Sequence, residues 1–130
     1  MQLVQNSAAR LVRRISKRDH ITPVLRDLHW LPVVARVEYK VALMAFKCMH
    51  GKAPGYLQDL IVPYVPPRTL RSGGQFLLKE QRSKKKVGNC AFSFAGPKVF
   101  NNLPLNLREI DGDLNIFKSD LKTCLFMKHF

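Results

Sequence analysis

Between His20 and Met49 the chain reads HITPVLRDLHWLPVVARVEYKVALMAFKCM, and this stretch constrains the fold more than any other. Pro32 disfavours helical geometry at Leu31, so two helical segments must meet at a break there instead of running on as one. Thr22 is expected to cap the first segment, with Pro23 at its first helical position, where a missing N–H costs nothing. Val24, Leu25 and Leu28 share one side of it. Trp30, the only tryptophan, falls in the bend and is expected mostly buried, with its indole N–H bonded. The second segment spans 33–50. Val34, Val37, Val41, Met44, Ala45 and Cys48 recur at three and four, and Val33, Leu43 and Phe46 widen the stripe. Gly51 suits the left-handed position just past its end. The residue types here are those of a core, with no pattern that chemistry would need.

A chain of 130 residues makes one domain at most, and a hydrophobic content of 46% favours a packed core over disorder. The charge is lopsided, with 22 Lys and Arg against 9 Asp and Glu, a net +13. A domain that basic repels itself unless an anion screens it. Nucleic acid is the usual partner, an anionic membrane surface comes second, and a merely basic soluble protein is the plain alternative. The 3 cysteines are odd in number and widely spaced, unlike a secreted disulfide framework. Met1 to Arg14 carries arginines and no long apolar run, so it is not a signal peptide. No apolar run approaches the roughly 20 residues of a membrane span. The chain is expected to be intracellular, nuclear or cytoplasmic, and not membrane-bound.

The remaining segments read as a mainly α, small helical domain of about five or six short helices, with room for one β-hairpin around 75–90. A helix is expected over 1–17. Leu3, Val4, Ala8, Leu11, Val12 and Ile15 lie on one side of it. Arg10, Arg13, Arg14 and Lys17 lie on the other, with Arg18 just beyond, where they can follow a phosphate backbone or simply be solvated. Pro54 opens a short helix with Tyr56, Leu57, Leu60 and Ile61 on its apolar side. A proline- and glycine-rich loop follows over 62–74, within a basic loop region 62–88 of the single domain 1–130. From Arg68 to Lys86 there are seven Lys or Arg and one acid, Glu80. A helix in two pieces is expected over 90–102, the second starting at Pro97. Leu103-Pro104 breaks the chain again. Asp113 then caps a last helix, with Leu114, Phe117, Leu121, Cys124 and Leu125 inward and Lys118, Lys122 and Lys128 outward.

No catalytic or metal constellation emerges. Asp111, Asp113 and Asn115 mimic the start of a calcium loop, but Ile116 stands where glycine is required and Lys122 where glutamate is. Cys48 with His50, Cys90, and Cys124 with His129 lack the paired spacing of a zinc site; Cys48 and Cys124 read better as small core residues. There is no phosphate-binding glycine loop. No cofactor and no small-molecule substrate are expected. The candidate ligand-binding residues are therefore the cations Arg10, Arg13, Arg14, Lys17, Arg18, Arg68, Arg71, Lys79, Arg82, Lys84, Lys85 and Lys86. They would contact RNA or DNA phosphates without reading bases. Tyr64 and Phe76 border the second cluster, where they could stack on unpaired bases but read better as core or loop anchors.

Several long motifs carry a resemblance. LVQNSAARLV at Leu3 to Val12, RDHITPVLRDLHWLPV at Arg18 to Val33, GKAPGYLQDL at Gly51 to Leu60 and RTLRS at Arg68 to Ser72 resemble the segment after the polymerase region of non-LTR (LINE-type) retrotransposon reverse transcriptases. GPKVFNNLPLNLR at Gly96 to Arg108 and FKSDLKTCLF at Phe117 to Phe126 are similar to the close of such reading frames, with Phe100 where tryptophan is expected. The match is collinear over nearly the whole chain and strongest for the Rex-like and related groups of animal genomes. It implies a fragment of a larger polyprotein. The family's aromatic-Ala-Asp-Asp polymerase motif, its endonuclease and a cysteine-histidine knuckle are all missing from this chain, so the expectation is a protein that is not an enzyme. The resemblance, with the charge, implies that in the parent protein the region helps hold template RNA or target DNA. The rival expectations are a docking module that packs on the polymerase thumb, and a translated relic without function.

Overall fold

The computed structural model describes residues 1–66, 68, 76–81 and 87–130. Among these the chain is mainly helical, with no strand and seven α-helices: α1 (Gln2–Arg13), α2 (Ile21–Asp27), α3 (Val33–Met49), α4 (Gly55–Gln58), α5 (Phe92–Asn101), α6 (Leu105–Arg108) and α7 (Leu114–His129). The count exceeds five or six because α6 forms where Leu103-Pro104 is expected only to break the chain; it and α4 are single turns, each started by a proline, Pro104 and Pro54, at the N-cap position. A 3₁₀ turn, Gly88–Cys90, precedes α5.

Three of the helix ends share one device. A residue at or just past the cap turns left-handed, so that its own N–H and the next one close back on the last carbonyls. At α3 that residue is Gly51 (φ 66), as its sequence position suggests, with Lys52 N–H donating to the Lys47 carbonyl at 2.8 Å. At α1 it is Arg14 (φ 53), so the helix ends at Arg13, four residues short of Lys17, and Ile15 N–H reaches the Arg10 carbonyl. At α2 it is His29 (φ 53), with Trp30 N–H on the Leu25 carbonyl at 2.9 Å. This closure ends α2 before Pro32 can. The start of α2 also differs from expectation. The helix begins at Ile21 with His20 as cap, and Thr22 lies inside the first turn and caps nothing. Pro23 is third in the helix, still among the N–H groups that have no helical partner.

The chain divides into two compact units: 1–39 with 121–130, and 40–120. In the first, the buried apolar residues are Ala9, Leu25, Leu31, Ala35, Leu121 and Leu125, all aliphatic. Trp30 is only half-buried, because the Schellman turn at His29 swings it to the margin of this small core. The end of α7 adds a rim: His29 stacks on Phe126 at 5.5 Å, Phe126 meets Phe130 at 4.8 Å, and the Arg26 guanidinium lies 5.8 Å over the Phe130 ring.

The second unit is built on aromatic rings. Phe46 and Phe117 stack at 3.9 Å between centroids, and both are fully buried together with Phe100. Leu78, Leu103, Leu107, Ile61, Leu43 and Cys48 fill in around them. The Cys48 thiol pKa is pushed up by burial. Gly96 has the space of a hydrogen and no more, since a Cβ there would stand 3.0 Å from Ile61 Cδ1 and 3.2 Å from the Phe92 ring. The helix containing it is one piece. Pro97 sits inside α5 without dividing it, and its burial with Gly96 and Phe100 offsets the one helical bond it removes. Asp113 caps α7 as its sequence predicts, accepting from the Asn115 and Ile116 N–H groups at 2.9 and 3.2 Å.

Around 75–90, Gln75 and 82–86 lie outside the described residues, and the described part forms no hairpin. Leu78 pairs antiparallel with Pro63. Tyr64 N–H donates to the Leu77 carbonyl and Lys79 N–H to the Val62 carbonyl, both at 2.8 Å. Pro63 fits because the pair it makes with Leu78 is the one that exchanges no hydrogen bond. The other edge of Leu78 is filled by a side chain. Asn101 Oδ1 accepts from Leu78 N–H at 2.8 Å, and Asn101 Nδ2 donates to the Leu78 carbonyl at 2.9 Å.

Candidate nucleic-acid interface

The first candidate cluster follows from how α1 sits. Its glutamines face inward: Gln5 Nε2 donates to the Leu31 carbonyl and Gln2 Oε1 accepts from Val33 N–H, each at 2.8 Å. Pro32 leaves those two backbone groups without helical partners, and the α1 amides supply them. Gln2 in turn donates to Asn6 Oδ1 at 2.8 Å. The helix therefore turns its polar side to the protein, and only Ala9 on it is fully buried. The basic end projects. Arg14, Lys17 and Arg18 are exposed and make no ion pair among the described residues. Arg13 reaches Asp27 at 3.5 Å across a solvated surface, a pair worth at most about 1 kcal/mol that leaves it able to exchange partners. Arg10 is half-buried and donates to the Ser16 carbonyl, so it holds the turn and is the least available of the five.

The second cluster lies in the other compact unit. Arg68 and Lys79 are exposed there, with Lys79 placed by its backbone bond to Val62. Arg71, Arg82, Lys84, Lys85 and Lys86 lie outside the described residues. Tyr64 and Phe76 are exposed by 45% and 55%, so neither is a core residue. Sequence reasoning missed Asn101, which fixes Leu78 and accordingly the direction of Lys79. An asparagine at the end of a helix carries no signal of such a bond. His50 packs on Phe46 at 4.3 Å, and burial, the largest influence, holds its pKa below the usual histidine value, with Asp111 opposing and Lys52 adding to the shift.

Among the described residues no group of three or more His, Cys, Asp and Glu side chains is placed to hold a metal ion. No described helix is long and apolar enough to cross a membrane. Among the described residues the geometry defines a mainly helical protein with exposed cations at the end of α1 and at Arg68 and Lys79. Comparison with protein-family models, with curated proteins and with solved structures found no match.

Proposed function

We propose that this chain is a non-catalytic nucleic-acid-binding segment related to the region that follows the polymerase in LINE-type retrotransposon reverse transcriptases, and that it holds RNA or DNA by phosphate contacts. The observation that carries the reading is the end of α1. Residues 1–18 hold five cations and no acid, and Arg14, Lys17 and Arg18 stand exposed in consecutive turns, without an ion pair among the described residues. Phosphate is the anion that such closely spaced cations suit, and lysine and arginine clusters of this kind position a strand without reading its bases. The collinear motifs support the family.

The test is an anisotropy titration of a single-stranded oligonucleotide against the full chain over a range of salt. Log affinity should fall linearly with log salt. Each neutralised phosphate contributes a slope of about −0.7 on a single strand, so replacing Arg14, Lys17 and Arg18 by alanine should flatten the slope by about 2. A salt-independent affinity, or one unchanged in the triple variant, contradicts the reading.

A further inference from the structure

The orientation of α1 leaves its apolar side in water. Leu3 and Leu11 are each 80% exposed, Val4 73% and Val12 59%. These four residues form two pairs, one near each end of the helix, with Ser7 and Ala8, also exposed, between them. Residues 3, 7 and 11, and residues 4, 8 and 12, are parallel rows at the spacing by which one helix receives the ridge of another. The low middle lets a second helix lie close, with one bulky residue over Ser7 and Ala8 and its neighbours against the leucine and valine pairs. Phosphates have no use for this face.

We infer that the outer face of α1 is a docking site for a partner protein's amphipathic helix that carries acidic residues at one end. The occupant follows from charge. Beyond Leu11 and Val12 the chain continues into exposed Arg14, Lys17 and Arg18; of the acids nearby, Asp27 pairs with Arg13 at 3.5 Å and the Asp19 carboxylate accepts from Ser16 N–H at 2.9 Å. A second copy of the chain would bring the same cations and a net +13 of its own. A lipid surface would meet a face without any aromatic anchor, whose cations gather at one end instead of flanking its length. A helix with leucines at i, i+4 and i+7 and glutamates in its last turns satisfies both halves of the site.

The test uses the full chain and a synthetic helix of that design, labelled for anisotropy, beside a control in which lysines replace the glutamates. The acidic helix should bind, and the lysine control should bind about tenfold more weakly or worse. The double variant Leu3→Ser, Leu11→Ser should lose about tenfold in affinity for the acidic helix. That variant should also keep its helical circular dichroism and its nucleic-acid salt dependence, because the inward Gln2 and Gln5 and the cations are untouched. Equal binding of both helices, or binding unchanged in the double variant, overturns the inference. So does a dimer of the wild-type chain that the double variant abolishes, phosphatidylserine vesicle binding lost in it, or loss of its helicity. Because the salt dependence is read separately, failure of the phosphate reading leaves this result standing, and the reverse.

Discussion

The two compact units solve the same problem with different materials. In 40–120, stacked Phe46 and Phe117 with Phe100 supply large surfaces that leave water completely. In 1–39 with 121–130, the buried residues are all aliphatic, and glutamine amides hold a helix whose leucines and valines stay outside. The difference teaches that apolar content does not decide which face of a helix is buried. The unmet backbone groups at the Leu31-Pro32 break decided it for α1, because an unpartnered carbonyl or N–H in a packed region costs as much as a lost side-chain contact.

That contrast can be broken by substitution. Phe117→Ala empties the centre of the aromatic stack and should cost about 3–5 kcal/mol in urea unfolding, while Leu11→Ser on the outer face of α1 should change stability by about 0.5 kcal/mol or less. Near-equal effects would mean that the α1 face is buried in solution. Asn101→Ala orphans both polar groups of Leu78, which is only 2% exposed, and should cost about 1–3 kcal/mol. In the aliphatic unit, Gln2→Ala removes the acceptor for Val33 N–H and should cost about 1 kcal/mol, with fraying at the start of α3 visible as faster amide exchange at Val33.

Acid gives the smallest and most local effect. His50, in the aromatic unit, has its folded pKa below the unfolded value, so the unfolded chain takes up its proton first. Its contribution is fully present above the ordinary histidine pKa and is lost as pH falls through that value toward the lower folded one. Replacing His50 with Gln should remove this part of the pH dependence from unfolding midpoints, and an unaltered profile would mean that His50 is solvated in the folded protein.

Much of the fold is legible in residues that act locally. Val33 and Met49 bound α3 because Pro32 precedes it and Gly51 follows; Asp113 caps α7; Phe117, Leu121 and Leu125 fall inward at helical spacing. Orientation is less legible, because periodicity reveals that a helix has two sides and not which neighbour claims one. On α3 the buried row is Ala35, Ala42, Ala45 and Phe46, with Leu43 and Cys48 beside it, while Val34, Val37 and Met44 are exposed. The stripe is rotated by about one residue from the valine-rich expectation, because alanines permit close approach where valines do not. The candidate cations divide in the same way. Arg14, Lys17 and Arg18 project as their composition suggests, but the restraint of Arg10 by the Ser16 carbonyl depends on the left-handed turn at Arg14, a conformation that sequence assigns to glycine.

The amide of Asn101 has a consequence for what the chain can avoid. The segment from Leu77 to Lys79 is the nearest thing to a β-strand among the described residues, and a short extended piece with open edges is a template on which another extended chain can add. Here one edge is taken by Val62 and Tyr64 and the other by a helix side chain that imitates a neighbouring strand. Leu78 is thus closed to recruitment from both sides, and a single asparagine guards the chain against intermolecular β-assembly at this point.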